Sequence, residues 1–267
     1  MALNTKIEWT KRTANLWHGC VKVNEGCNNC YAATWSRRWG QDIWGADNPR
    51  KMIASFWIDL DKFQRLAAKD NAVHPVFVGS MMDIFENPKP LIDNNGKILE
   101  TTTDDLRERF FQNITDGKYP NLDFLLLTKR PSNINKYIPE SWKTSPPTNV
   151  MFGTSVVNQS TANNLITHLL KVKGRRFLSV EPQLARLTLL PWLRPKLIDW
   201  VIVGGESGQG KRPFNTDWAR QLRDECKFTK TPYFFKQVDK VRPIPHDLQV
   251  REFYDNTSPA NKVSKQS

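Results

Sequence analysis

The stretch "LDFLLLTKR" (residues 122–130) indicates the fold class of this chain. Its apolar part is continuous, and the polar residues Thr128, Lys129 and Arg130 follow directly. A short apolar run of this kind predicts a strand buried on both faces, as in a parallel sheet covered by helices. Five further runs have the same pattern: "PVFVGSMMD" (75–83), "NVMFGTSVVNQ" (149–159), "RRFLSVEPQ" (175–183), "DWVIVGGESG" (199–208) and "PYFFKQ" (232–237).

Amphipathic segments fill the gaps between these runs and predict helices. In the last segment, Thr216 or Asp217 is expected to cap the helix N-terminus. Because apolar runs and helical segments alternate, we expect βα units around a parallel sheet. The predicted helices span residues 31–41, 58–70, 103–115, 161–172 and 216–229.

One more strand is expected near the N-terminus, in "IEWT" (7–10) or "NLWHG" (15–19). With it the sheet has about seven strands, which fits an α/β fold built as a complete or partial TIM-type (β/α) barrel. A doubly wound open sheet is the alternative, and the strand pattern alone does not separate the two.

The domain organisation is predicted from two interruptions of this pattern. Residues 86–102 are rich in Pro, Asn and Gly and indicate an inserted loop or small hairpin, of a size that suits a lid or substrate contact. We expect one barrel domain over residues 1–237, with a cysteine loop at 18–31. A C-terminal extension over 238–267 follows, and its polar end is predicted to be disordered.

Charge and composition indicate which partners this protein could bind and in which compartment it is expected. The 267-residue chain has a formal net charge of +12. A basic protein attracts polyanions, so DNA or RNA is a candidate partner, with a merely solvated surface as the other interpretation. No apolar run reaches the roughly 18 residues of a membrane span, and the N-terminus does not resemble a secretory signal. We therefore expect a cytoplasmic protein whose cysteines stay reduced.

Polar residues follow most of the predicted strands. In parallel α/β folds, catalytic and binding groups lie at the carboxyl ends of the strands, so these side chains should meet at one mouth. The Gly-rich segment "VGGESGQGKRP" (203–213) could let backbone amides approach a phosphate or cofactor, or could be only a tight turn. The candidates are Gly79, Ser80, Asp83, Lys129, Ser155, Glu181, Gly204, Gly205, Glu206 and Lys236.

Three of the four cysteines lie within "HGCVKVNEGCNNCYA" (18–32), at Cys20, Cys27 and Cys30. In a reducing compartment, such a cluster indicates metal binding or catalysis rather than disulfides. Structural zinc would need a fourth ligand, from His18 or Cys226. The other possibilities are unligated thiols, or an iron–sulfur cluster held by three thiolates with one iron left open. Cys226 falls in a predicted amphipathic helix and is expected to be a buried small side chain.

Clustered cysteines after a first strand, with a βα barrel downstream, resemble the radical S-adenosylmethionine superfamily. The chain resembles more closely a phage and bacterial three-Cys-motif family of uncharacterised function, over roughly residues 6–237. The first cysteine gap is six residues here, where the superfamily usually has three. The likeness is carried by "IEWT", "HGCVKVNEGCNNCYA", "VFVGSMMDIF", "LLLTKRP", "FGTSVVNQ", "FLSVEP", "WVIVGGESGQGKRP" and "PYFFKQ".

The resemblance implies a role for each candidate residue. The three clustered cysteines would bind a [4Fe-4S] cluster, and S-adenosyl-L-methionine would chelate its open iron. The cofactor would be cleaved reductively to a radical that abstracts a substrate hydrogen, with electrons from a partner reductant protein. Cofactor-binding candidates are Gly79, Ser80, Asp83, Ser155, Gly204 and Gly205; the catalytic candidates Lys129, Glu181, Glu206 and Lys236 would bind the cofactor or position the substrate.

The implied function is an iron–sulfur enzyme of the radical S-adenosylmethionine type that modifies or repairs nucleic acid or a nucleotide. It would act in the cytoplasm, or in the host cytoplasm if phage-encoded. The alternative is a non-catalytic nucleic-acid-binding protein with a structural zinc or iron–sulfur centre. Acids at the predicted mouth favour the enzyme, because they would repel phosphates and suit a polar cofactor pocket better.

Overall fold

The computed structural model describes residues 5–38, 40 and 42–255. The strands of this part are β1 (Arg12–Ala14), β2 (Trp17–His18), β3 (Arg50–Met52), β4 (His74–Val78), β5 (Pro90–Ile92), β6 (Ile98–Thr102), β7 (Leu122–Thr128), β8 (Val150–Ser155), β9 (Arg175–Val180), β10 (Trp200–Gly204) and β11 (Tyr233–Gln237). The α-helices are α1 (Tyr31–Arg38), α2 (Phe56–Lys69), α3 (Thr103–Thr115), α4 (Ile134–Tyr137), α5 (Glu140–Thr144), α6 (Gln159–Leu169), α7 (Leu190–Leu193) and α8 (Thr216–Thr229).

Seven strands form one parallel sheet in the order β1-β4-β7-β8-β9-β10-β11. The order follows the chain without a reversal, whereas a doubly wound sheet reverses at a switch point. The sheet curls into part of a barrel, and β1 and β11 are its two ends in the described chain. The partial TIM-type barrel is therefore the form that this fold takes, and the predicted strands after the first are confirmed.

The first barrel strand differs from the prediction. It is β1, which lies between the two predicted segments and pairs with β4. In "IEWT", Trp9 turns inward and packs its ring 4.6 Å from Phe77 and 6.1 Å from Trp200. In "NLWHG", Trp17 and His18 form β2, which pairs with β3 in a second sheet. Burial of Trp9 and Trp17 thus keeps both segments out of the barrel sheet, which the pattern of apolar residues does not show.

The predicted helices are present, with one correction at a helix start. The residue that caps α8 is Asn215, whose side-chain oxygen accepts from the backbone N–H of Asp217 at 2.8 Å. Thr216 and Asp217, the predicted caps, lie inside the first turn. Any of the three residue types suits a cap, so sequence preference could not choose between neighbours. Within the described residues, no helix is long and apolar enough to cross a membrane.

The two faces of the curled sheet bury different cores. The outer face packs against the helices with aliphatic and aromatic side chains such as Val78, Phe124 and Leu126. The inner face holds a smaller, strongly aromatic cluster that fills the interior of the barrel. The members of the inner cluster are Trp9, Phe77, Leu125, Met151, Phe177, Trp200, Ile202, Phe234 and Tyr254.

The insertion at 86–102 is a hairpin, as the sequence allowed. Its strands β5 and β6 are antiparallel and extend a small sheet of order β2-β3-β5-β6. A buried ion pair ties the insertion to β3, because Arg50 donates to both carboxylate oxygens of Glu86 at 2.8 and 3.0 Å. Trp17 adds a third donor to Glu86 at 3.0 Å.

After β11 the chain returns to the barrel. Arg251 pairs with Phe234 in an isolated antiparallel bridge, and Trp200 donates from its indole to the carbonyl of Glu252 at 2.9 Å. Tyr254 is buried and donates to Asp123 at 2.8 Å. The predicted disordered end falls on residues 256–267, outside the described part of the chain.

Replacing Gly153 by Ala tests the inner core. An added Cβ would lie 2.4 Å from ring carbons of Phe177, which is fully buried. Overpacking of this kind costs about 1–3 kcal/mol, so we expect the free energy of unfolding in urea to fall by that amount. Gly204→Ala is the matched control, since its Cβ meets nothing closer than 3.5 Å. Equal losses in the two variants would contradict this packing.

Candidate functional site

A pocket opens at the carboxyl ends of the barrel strands. It encloses about 1120 Å³ of empty space, part of it open to solvent. The pocket lies above the aromatic inner core, and Trp9 and Phe77 belong to both. Every predicted site residue except Gly204 lines it: Cys20, Cys27, Cys30, Gly79, Ser80, Asp83, Lys129, Ser155, Glu181, Gly205, Glu206 and Lys236.

The three cysteines reach the pocket from one segment, residues 19–30, here called the Cys loop. Its start is fixed by Gly19, whose N–H donates to the carbonyl of Met81 at 3.1 Å, just after β4. Gly19 has φ +118, and a Cβ there would lie 2.2 Å from the carbonyl oxygen of Ile43. A larger residue could not take this conformation or this close approach. All three thiols are free and partly exposed to the pocket.

Arg130 connects the Cys loop to the sheet. One of its nitrogens donates to Asp83 at 2.8 Å, and the other donates to the carbonyl of Val21 at 2.7 Å. The first nitrogen also lies 3.8 Å from the sulfur of Cys20. Asp83 is nearly buried and accepts a further hydrogen bond from Thr128 at 2.7 Å. Arg130 therefore holds a strand end, a carboxylate and the Cys loop together.

The thiol of Cys20 has an unusual environment. Burial, aided by the negative charges of Asp83 and Glu86 and opposed by Arg130, raises its pKa to about 12. The free thiol is therefore protonated at neutral pH. Ligation requires the thiolate, so a metal centre at this position would have to displace the proton.

The middle of the Cys loop crosses the mouth of the barrel. Asn24 accepts from the N–H of Gly26 at 3.0 Å and caps the 3-10 turn Glu25–Cys27. A Cβ on Gly26 would lie 2.7 Å from Val157, so the loop packs directly on the segment after β8. The side chain of Glu25 accepts a hydrogen bond from Asn158 in the same segment.

The far end of the Cys loop is tied to the Gly-rich segment. Asn29 donates to Glu206 at 2.9 Å and to the carbonyl of Gly210 at 2.8 Å. Arg212 donates to Glu206 at 2.7 Å and to the carbonyl of Glu25 at 3.1 Å. Partial burial raises the pKa of Glu206, but the hydrogen bonds from Arg212 and Asn29 outweigh it and leave the pKa lowered. Glu206 is therefore an ionised anchor between two loops.

The glycines of the Gly-rich segment have packing reasons of their own. A Cβ on Gly205 would lie 2.0 Å from the carbonyl oxygen of Val238, so only glycine fits. Gly204 is not among the residues that line the pocket. Its carbonyl accepts from the N–H of Gln183 at 3.0 Å.

A third ion pair lies in the pocket wall, between the residue after β9 and a residue of β11. Lys236 and the carboxylate of Glu181 form a salt bridge, and both side chains are mostly buried. The buried serines Ser155 and Ser179 line the same pocket at the ends of β8 and β9. This wall offers hydroxyl groups beside a neutralised pair of charges.

The strand end at Gly79 and Ser80 is also held from the Cys loop side. Tyr31, the first residue of α1, donates to the carbonyl of Ser80 at 2.7 Å. Asn15 donates to the hydroxyl of Ser80 at 2.9 Å and accepts from the N–H of Met81 at 2.8 Å. Gly79 has φ +111, which allows the chain to turn between β4 and the pocket.

The two suggested fourth ligands for zinc do not line the pocket. Cys226 lies on α8 and is fully buried in the outer core, as the sequence predicted. His18 is on β2, with its ring edge-on to Trp35 at 5.9 Å; burial, aided by Lys51, lowers its pKa to about 4. Across the described residues, no three or more His, Cys, Asp or Glu side chains are grouped so that they could hold a metal ion.

Arg130 and Tyr31 were not predicted to have a role in the site. Arg130 directly follows the apolar run of β7, so its place at a strand end could be predicted from the sequence. Its ion pair with Asp83 at the end of the neighbouring strand could not. The hairpin at 86–102 contributes no residue to the pocket. Its role as a lid stays a prediction.

Comparison with known proteins identifies the family. The family described as "Protein of unknown function (DUF5131)" matches residues 4–254. The chain belongs to this family. No curated protein matches the chain significantly.

Two solved structures of spore photoproduct lyase are similar to this DUF5131 protein. One is a cysteine-to-serine mutant, with a TM-score of 0.53 and 9% identity over 88% of this chain and 79% of that chain. The other is complexed with dinucleoside spore photoproduct; its TM-score is 0.42 at 11% identity, over 80% of this chain and 58% of that chain. The first likeness shows a shared fold.

Replacing Arg130 by Met tests its role as the connection between loop and sheet. Asp83 would then be a nearly buried carboxylate without its ion-pair partner, which costs about 3–5 kcal/mol. We expect that loss in the urea unfolding of the metal-free protein. Adding Asp83→Asn should restore more than half of it, because the uncompensated charge is gone.

The control for this pair is Lys22→Met, which removes an exposed cation of the Cys loop. It should change stability by less than about 0.5 kcal/mol. If Arg130→Met costs no more than Lys22→Met, the connection is not important for the fold.

Proposed function

We propose that this protein is an iron–sulfur enzyme of the radical S-adenosylmethionine type that acts on nucleic acid or a nucleotide. One observation supports it above the others: three free cysteines and the polar ends of six successive parallel strands line a single pocket. A purely structural metal centre would not need that second set of groups. The pocket is the natural active-site position of a parallel barrel.

The chemistry of the donor set suits an iron–sulfur cluster with three protein ligands, although the three thiols are not grouped in metal-binding geometry within the described residues. Cys20, Cys27 and Cys30 are reduced thiols on one loop, and thiolates are the usual ligands of such clusters. All three cysteines line one pocket together with polar strand ends, so a cluster there would lie beside groups that could hold a second cofactor. When bound, these groups would supply reductive radical chemistry.

The chain's own residues would bind and orient. Gly79 and Ser80, held by Tyr31 and Asn15, present a fixed backbone edge to the pocket. Lys129 is a cation in the same wall, at the end of β7. Cations and backbone amides suit the carboxylate of an amino-acid-like cofactor. The aromatic core beneath the pocket closes it off from water on one side.

Glu206 and the pair Glu181–Lys236 are proposed to position groups rather than to transfer protons. Glu206 has its carboxylate oxygens occupied by Arg212 and Asn29. Glu181 and Lys236 neutralise each other at the pocket wall. Substrate binding would exploit these fixed charges and the hydroxyls of Ser155 and Ser179.

The substrate class rests on charge and on the fold. A net charge of +12 favours a polyanion. A protein named as a lyase of a spore photoproduct shares this fold at low sequence identity. The charge is consistent with a nucleic acid or nucleotide as the substrate, and the likeness supports the fold.

Anaerobic reconstitution tests the proposed function. With iron and sulfide, we expect a brown protein with about four irons per chain. We expect the EPR signal of the reduced cluster to shift on adding S-adenosyl-L-methionine, since an open iron can bind it. Replacing Cys20, Cys27 or Cys30 by Ser should abolish the cluster.

Cys226→Ser is the matched control for these variants. Cys226 is also a thiol of this chain, but it lies on α8 and is buried in the outer core. Its replacement should therefore leave the iron content and the spectra unchanged. A colourless protein with one tightly bound zinc would refute the proposal and favour the non-catalytic alternative.

A further inference from the structure

A groove lies beside the pocket, where the partial barrel is open. It is lined by Lys6 and Glu8 of the N-terminal segment, by Lys236 and Gln237 at the end of β11, and by residues 240–244, and is here called the seam groove. β1 and β11 are the two ends of the sheet, so these segments flank its open side. The N-terminal segment is held there by the ion pair of Glu8 with Arg251 and by Trp9 in the inner core.

The seam groove and the pocket share a wall. The side chain of Lys236 lines both of them, and Gln237, the next residue, lines the groove. Lys236 is itself paired with Glu181 on the pocket side. A molecule in the groove would therefore pass within one side chain of the candidate active site.

The groove carries an excess of positive charge. Glu8, the acid that lines it, is paired with Arg251, and Asp239 in the adjoining turn is paired with both Lys211 at 3.1 Å and Arg242 at 3.0 Å. Lys6 and Lys240 are exposed, and no side-chain partner is found for either within the described residues. These two cations are free to bind an anion.

The turn that presents Lys240 is well ordered by its neighbours. The carboxylate of Asp239 accepts from the N–H groups of Val241 at 2.9 Å and Arg242 at 2.7 Å. Val241 is 79% exposed at the tip of this turn. The turn therefore holds Lys240 at the edge of the groove, beside the exposed side chain of Val241.

We propose that the seam groove binds the phosphate backbone of a single nucleic acid strand and leads one nucleotide to the pocket. The substrate class rests on the proposed function, whereas the position of the groove does not. A single strand is favoured because chemistry on a base requires that base outside the stack. Lys6 and Lys240 are the residues that contact phosphate.

The test compares two charge reversals of equal size. The groove variant is Lys6→Glu with Lys240→Glu. The control variant is Lys171→Glu with Lys173→Glu, two exposed lysines just before β9, at the opposite end of the barrel. Both variants change the net charge equally, so general attraction to a polyanion falls equally in the two.

Fluorescence anisotropy with a labelled single strand of about 12 nucleotides measures binding. We expect the groove variant to bind at least about 10-fold more weakly than wild type, and the control within about 2-fold. The slope of log K against log salt should fall in magnitude by about 1.4 in the groove variant, for two lost phosphate contacts.

Equal weakening in both variants would overturn the proposal, because binding would then follow net charge alone. A free mononucleotide that competes as well as the strand would also overturn it. Iron content and EPR spectra of the same preparations separate the two proposals. A protein without a cluster whose strand binding still depends on Lys6 and Lys240 refutes the enzyme function and supports the groove.

Discussion

The candidate site depends on the hydrogen bonds and the ion pair that the guanidinium of Arg130 makes. It binds a carboxylate after β4 and a carbonyl of the Cys loop, and it lies beside the thiol of Cys20. A loop across a barrel mouth has little apolar surface of its own to hold it. Its position must come from hydrogen bonds to strand ends, and a planar cation with several donors can satisfy three groups at once.

The sheet could be predicted because its strands are buried on both faces. Runs such as "LDFLLLT" and "WVIVG" have no amphipathic alternative, so their strand type followed from the sequence. The choice between a barrel and a doubly wound strand order came only from the structure. The convergence of polar strand ends followed from the parallel order. The first strand could not be predicted in the same way. The apolar residues Trp9 and Trp17 suggested strands, but they are buried by tertiary packing. Each fills a core without belonging to a barrel strand.

The site was predicted as a set of residues but not as a network. Spacing indicated the cysteines, and strand ends indicated the acids and lysines. The sequence could not show that Glu206 binds both Arg212 of its own segment and Asn29, which is remote in the chain. Pairing across a sheet depends on which strands become neighbours, and that is a property of the fold. For the same reason, the sequence could not show that Gly205, which lines the pocket, also lies against the backbone of Val238.

The six-residue gap between Cys20 and Cys27 has a structural explanation in this network. Cys20 lies by the end of β4, where Gly19 contacts Met81, and Gly26 packs on Val157 after β8. Between them, Val21 is held at the end of β7. The residues between Cys20 and Cys27 therefore pass three strand ends. A gap of three residues would have to pass the same strand ends with a more extended backbone. The six residues between Cys20 and Cys27 therefore let one loop contact the ends of β4, β7 and β8.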